Sequence, residues 1–312
     1  MRILVIGSAG QIGSELVPKL WEKYGFSNII ASDIKYSVES HKNDDKIYLD
    51  VLDRENLSKI ISKYDIDIIY HLASILSARG EENPPKTWNV NMYGLLNILE
   101  VGIKYDIKKI IWPSSIAAFG PSSPKENTPN ETILKPITMY GITKVSGELL
   151  LNYYKLKYNL DVRSVRLPGI ISAETKPGGG TTDYAVQIFY EAIKNNKYTS
   201  YVSRNTILPM MYMPDCIASL INIMEADKEN LTRCVYNVSG MSFSAGELAD
   251  EIKIKIPDFE VNFKPDERQL IANSWPKSID DSFARKEWNW NPKYNLSSMT
   301  EDMIEKLKEK LL

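Results

Sequence analysis

The sequence predicts an α/β chain built on a doubly wound parallel sheet of the Rossmann type, with a smaller mixed lobe toward the C-terminal end. Short β-branched apolar runs alternate with segments of helical periodicity over the first half of the chain, the pattern of a parallel sheet covered on both faces. The first run, Ile3–Ile6, ends on a glycine and opens directly into a helical pattern, so the chain begins as strand, tight turn, helix. After residues 162–167 the alternation stops, broken by Pro168-Gly169 and by Lys176-Pro177-Gly178-Gly179-Gly180.

Taken in order, residues 11–24 carry Ile12, Leu16, Leu20 and Trp21 at helical spacing. Strand-like runs recur at Ile29-Ile30-Ala31, Ile47-Tyr48-Leu49, residues 66–70 and Ile110-Ile111-Trp112, with helices expected over 88–105 and 137–158. Residues 162–167 end the nucleotide-binding half as a strand. Residues 208–213, including Met210-Met211-Tyr212-Met213, read as a core strand able to pair with the main sheet. The expected division is therefore discontinuous: residues 1–166 plus about 205–238 bind the cofactor, and about 167–204 plus 239–312 form the substrate lobe.

With 312 residues, 43% of them hydrophobic, the chain can bury a full core. Its 38 basic and 40 acidic residues nearly cancel and are spread along the sequence, so no field of one sign exists to attract nucleic acid or an anionic membrane. Cys216 and Cys234 lack paired-ligand spacing and His41 and His71 are the only histidines, which argues for reduced thiols and against a zinc site. The N-terminal apolar run is too short for a signal sequence, so cytoplasmic residence is expected.

Gly7, Gly10 and Gly13 form GxxGxxG between the first strand and the first helix, where absent side chains let the turn close and backbone amides meet a pyrophosphate. Gln11 and Ile12 belong to the same turn. Asp33 ends the next strand, where a carboxylate can accept hydrogen bonds from both adenosine ribose hydroxyls and repel a 2′-phosphate, favouring NAD over NADP. Asp50-Val51, after the third strand, is placed to touch the adenine, and a plain strand-ending turn explains the pair equally well.

Tyr140 and Lys144 are four residues apart and share one helical face. A nearby ammonium favours the phenolate, making the tyrosine a usable proton acceptor. Ser115 follows the strand at 110–112 and brings a hydroxyl to the same edge of the sheet.

The chain resembles the extended short-chain dehydrogenase/reductase family along nearly its whole length, through GSAGQIG at Gly7, Asp33, HLAS at His71, NMYG at Asn91, PSSIAAFG at Pro113 and YGITK at Tyr140. The resemblance implies that Tyr140 is the general base, that Ser115 hydrogen-bonds substrate, and that Lys144 binds the nicotinamide ribose while lowering the tyrosine pKa. It also assigns Leu72, Ala73, Ser74, Asn91 and Leu167 to the cofactor. Ile6 departs from the threonine that many members carry there.

Most extended members act on nucleotide sugars as epimerases or dehydratases. Here Arg166-Leu167-Pro168-Gly169 lacks the asparagine usual in sugar-nucleotide epimerases, and Ser115-Ile116-Ala117 lacks the threonine and acidic residues of dehydratases. LPGIIS at Leu167, PGGGTTDYA at Pro177 and LPMMYMPD at Leu208 instead resemble the L-threonine 3-dehydrogenase branch. That likeness implies oxidation of the threonine Cβ hydroxyl to give 2-amino-3-oxobutanoate and NADH without a metal. Amides of Gly178 to Gly180, with Thr181 and Thr182 at the start of a helix, can then bind the substrate carboxylate. Ser77 and Trp275 are further substrate candidates, and the group that takes the ammonium stays open. The family commonly forms homodimers through the helices at 88–105 and 137–158. A non-catalytic NAD-sensing module is the reading from another class, and the joint presence of Ser115, Tyr140 and Lys144 speaks against it.

Overall fold

A computed structural model describes residues 1–37, 46–176 and 178–311; His41 and Pro177 lie outside them. In chain order the elements are β1 (Ile3–Ile6), α1 (Gly13–Tyr24), β2 (Ile29–Asp33), β3 (Lys46–Tyr48), α2 (Arg54–Tyr64), β4 (Ile68–His71), α3 (Ser77–Glu82), α4 (Pro84–Trp88) and α5 (Gly94–Lys104). They continue as β5 (Lys109–Ile111), β6 (Ser114–Ser115), α6 (Met139–Tyr158), β7 (Val162–Leu167), β8 (Gly169–Ile171), α7 (Tyr184–Asn195), β9 (Lys197–Ser200) and β10 (Ile207–Tyr212). The last are α8 (Met213–Glu225), β11 (Val235–Asn237), β12 (Met241–Ser244), α9 (Ala245–Lys255), β13 (Glu260–Phe263), α10 (Arg268–Ser274), α11 (Ser282–Trp288) and α12 (Leu296–Leu311).

The doubly wound sheet is present. Its order is β11-β7-β5-β4-β1-β2-β3, with β6 also pairing β7, and the pairings are parallel. Along β1, Ile3 and Val5 enter the apolar cluster under α1 and α8, whereas Leu4 and Ile6 enter the one under α2, α5 and α6. Two buried faces explain why this strand reads as an unbroken apolar run. The order reverses direction at β1, which has β2 on one side and β4 on the other. Such a switch point leaves a crevice beyond the carboxyl ends of the strands.

Residues 208–213 correct the expectation. β10 joins β8 and β12 in a separate three-stranded sheet, with Met210 opposite Gly169 and Met241. Pro168-Gly169 turns the chain off the end of β7, so β8 carries β10 away with it. The place beside β7 in the main sheet is filled by β11 instead. The core reading of Met210 and Met211 stands, since both are fully buried. The helix expected over 88–105 is interrupted by a π-helical turn at Asn89–Tyr93. Its extra residue turns Asn91 inward, where it accepts from the Ile75 amide (2.8 Å) and donates to the Ile75 carbonyl and Thr143 hydroxyl (both 3.1 Å). Among the described residues no helix is long and apolar enough to cross a membrane.

Candidate active site

A cleft at the switch point is lined by Gly7, Gly10, Gln11, Ile12 and Gly13 from the first turn, by Leu72, Ala73 and Ser74 after β4, and by Leu167. Gly7 closes the turn at φ +85°, and a Cβ there would meet the Ala73 amide at 2.6 Å, so only glycine lets the two strand ends approach. Gly13 opens α1, which has no side-chain cap. Among the described residues the amides of Gln11, Ile12 and Gly13 find no backbone partner, and the buried Gln11 Nε2 also lacks one. Unpaired donors at a helix N-terminus suit a diphosphate, whose charge the helix dipole also favours.

Asp33 lies beside this turn outside the cleft wall and is 6% exposed. It accepts from the Ala9 amide at 2.9 Å and the Lys35 amide at 2.9 Å, so its carboxylate is fixed next to the glycine loop. Asp50 accepts from the Leu52 amide in a strand-ending turn, and Val51 is buried against Gly94 of α5. Neither Asp50, Val51 nor Asn91 reaches the cleft wall; Asn91 instead braces the Ile75 backbone behind it.

Ser115, Tyr140 and Lys144 meet in the same cleft. Thr138 caps α6 by accepting from the Gly141 amide, which fixes the first turn that carries Tyr140. Lys144 donates to the Pro113 carbonyl at 2.7 Å and stands 4.3 Å from the Trp112 ring centre and 5.3 Å from that of Tyr140. Burial pushes the Tyr140 phenol up to about 12, while a hydrogen bond with Ser115 pulls the other way. Burial draws Lys144 down to about 7, opposed by the charge of Glu148. The pair thus departs from the simple expectation of an ammonium lowering a phenol: desolvation weighs most on both groups, and Ser115 is the hydroxyl that favours the phenolate.

The same cleft is also lined by Ser77, Gly180, Thr181, Thr182, Asp183 and Trp275. The Ser77 and Thr181 hydroxyls are 3.3 Å apart, which ties the start of α3 to the segment leading into α7. The glycine loop needs a correction: the Gly179 and Gly180 amides both donate to Asp183 Oδ2 at 2.8 Å and so are not free for a carboxylate. Asp183, at the N-terminal boundary of α7, holds that loop closed on itself. Trp275 follows α10, and Lys125 donates to the carbonyls of Asn273, Ser274 and Trp275 at 3.0, 2.8 and 3.2 Å, holding the indole's backbone in place.

Two wall residues, His71 and Asp183, were given no role from the sequence. His71 faces the cleft, 1% exposed, with neither ring nitrogen hydrogen-bonded, and burial holds it neutral with its pKa down to about 3. Its position at the end of β4 was legible, but not its lack of a partner. Asp183 was visible as an acidic residue three after Gly180, the spacing of a side chain folding back on preceding amides. Among the described residues no group of three or more His, Cys, Asp or Glu side chains could hold a metal.

The family model of the NAD dependent epimerase/dehydratase family matches residues 3–239. An uncharacterized epimerase/dehydratase of Staphylococcus haemolyticus is 48% identical over 99% of this chain and 98% of its own length. The solved L-threonine dehydrogenase of Phytophthora infestans is 48% identical, covers 100% of both chains and superposes with a TM-score of 0.96. That of Clostridium difficile is 51% identical over 99% of this chain and 98% of its own, with a TM-score of 0.94. Matched over more than two thirds of its length, with a glycine turn fitted to a nicotinamide dinucleotide, this chain belongs to the NAD dependent epimerase/dehydratase family, of the extended short-chain dehydrogenase/reductase type.

Proposed function

We propose that this chain is an NAD-dependent L-threonine 3-dehydrogenase, converting L-threonine to 2-amino-3-oxobutanoate. The observation that carries the reading is the meeting, in one cleft, of Ser115, Tyr140 and Lys144 with the Gly180 to Thr182 loop and Trp275. The chain resembles the solved L-threonine dehydrogenases along its whole length. Gly7, Gly10, Gln11, Ile12 and Gly13 hold the pyrophosphate, Asp33 the adenosine ribose, and Lys144 the nicotinamide ribose. Bound there, NAD supplies the acceptor for the hydride from Cβ.

The remaining steps belong to the protein. Ser115 orients the β-hydroxyl oxygen and the Tyr140 phenolate takes its proton, with the Lys144 ammonium as the cation that favours the phenolate. Thr181 and Thr182 place hydroxyls near the substrate's polar end, while Ser77 holds Thr181. Trp275 covers the cleft from the small lobe and keeps water from the reacting carbon. The substrate lobe in this reading spans about residues 167–212 and 239–312, since β10 goes with β8 and β12. Homodimerisation through α5 and α6, the latter exposing Leu149, Tyr153 and Leu156, and cytoplasmic residence complete it.

Purified protein mixed with NAD and L-threonine is expected to form NADH, followed by absorbance, at a rate unaffected by EDTA. NADP should support far less turnover because Asp33 repels its 2′-phosphate. Silence with threonine and turnover of a UDP-sugar would move the chain to the epimerase reading, and equal use of NADP would remove the ribose role of Asp33. Sedimentation equilibrium on the same sample should give twice the 35.5 kDa chain mass; a monomer mass would remove the dimer.

A further inference from the structure

The face of α6 that carries Tyr140 and Lys144 continues one turn on to Glu148, which is 6% exposed. Three consecutive residues after β5 each tie to this stripe. Ser115 bonds Tyr140, the Pro113 carbonyl accepts from Lys144 at 2.7 Å, and the Ser114 hydroxyl donates to Glu148 at 2.5 Å. Glu148 is also gripped from β7, where Arg166 donates through Nε at 2.9 Å and Nη2 at 2.7 Å to its two oxygens. The remaining Arg166 nitrogen donates to the Asn130 carbonyl and Asn237 Oδ1, and the guanidinium lies 5.1 Å from the Phe119 ring centre. A buried ion pair of this kind is a costly way to hold a helix, since apolar residues of the same volume often serve stability as well. Its retention one turn from the reacting pair asks for another role.

Resting on the reading of Tyr140 and Lys144 as the proton-accepting pair, we propose that Glu148 is a positioning residue for that pair. It latches the 140/144/148 stripe to the strand end at 113–115 and supplies the counter-charge to the Lys144 ammonium, with Arg166 setting how much of that charge Lys144 feels. Lys144 faces Tyr140 and Glu148 on its own helix, His71 from β4, and Arg166 beyond Glu148 on β7. His71 is neutral, so Glu148 is the one anion facing Lys144 among these groups. Burial alone would strip the proton from Lys144 near neutrality; Glu148 opposes that loss.

The two halves of the ion pair therefore act on Lys144 with opposite sign, which a purely structural role would not do. In full-length protein labelled with [13Cε]lysine, with the Lys144 signal assigned by its loss in K144M, the Lys144 titration is expected to move down by about one pH unit in E148Q and up by about one unit in R166M. On activity, fewer ammonium groups at a given pH mean less support for the phenolate. The acid limb of the kcat profile should thus shift to higher pH in E148Q and to lower pH in R166M, with E148D near the parent. Shifts of the same sign in both variants, or none, overturn the proposal. If one single variant fails to fold, the other should still move Lys144 by about one unit with the sign stated, and the neutral pair E148Q/R166M should bring it back near the parent's value; a pair that keeps the single variant's shift overturns the proposal. Absence of threonine turnover in the parent defeats the functional reading instead, and leaves the spectroscopic titration standing.

Discussion

Tyr140→Phe is expected to lower threonine-dependent NADH formation by about 10²-fold or more while NAD binding stays within about twofold of the parent. The substitution removes one oxygen and little else. The Tyr140 ring sits in the core cluster with Ile116, Ala117 and Tyr184, and those apolar contacts survive in phenylalanine. Ser115 still accepts from the Ala117 amide at 3.2 Å, so the strand end keeps its shape. What is lost is the group that takes the hydroxyl proton, and a phenol already pushed up to about 12 by burial needs its Ser115 partner and Lys144 to work near neutrality. NAD binding is read separately by titration calorimetry. Turnover within threefold of the parent would remove Tyr140 from the mechanism, and a parallel collapse of NAD binding would show that the loss is not chemical.

Much of this arrangement was legible because it is local. The glycine turn, the strand before it and the helix after it are consecutive in the sequence, from Ile3 to Tyr24, and Tyr140 and Lys144 meet through helical geometry alone. What stayed hidden depends on pairing across distance. Nothing in residues 207–212 says that β10 follows β8 away from the main sheet, because an apolar strand looks the same in either partner set. The expected role of the glycine loop failed for a similar reason: the amides of Gly179 and Gly180 are taken by Asp183, and spacing alone does not rank a side chain against a substrate. Burial energetics were also out of reach. The sequence places an ammonium beside a phenol, but only the packed cleft shows that desolvation outweighs their attraction.

Gly13→Ala should damage both the fold and the cofactor site, and the size of each loss follows from the turn. A Cβ on Gly13 would lie 2.4 Å from the Gly7 carbonyl oxygen and 2.6 Å from the Ser8 Cα, both backbone atoms that no rotamer change can move aside. Either β1 and its turn shift or the first turn of α1 does, and overpacking of this kind costs about 1–3 kcal/mol. The displaced element carries the unpaired amides of Gln11, Ile12 and Gly13, so the donors aimed at a diphosphate lose their alignment together. Losing one or two charge-assisted hydrogen bonds, at about 1.5–3 kcal/mol each, weakens NAD binding by tenfold or more. Gly10→Ala is the control. A Cβ there meets only the Gly7 carbonyl oxygen, at 3.1 Å, so the melting temperature should stay near the parent's even if the added methyl intrudes on the cofactor. Calorimetric NAD titration and thermal denaturation on both variants check the pair. Parent-like NAD affinity in Gly13→Ala would mean that the diphosphate is held elsewhere, because no rearrangement that admits this methyl leaves those three amides where they are.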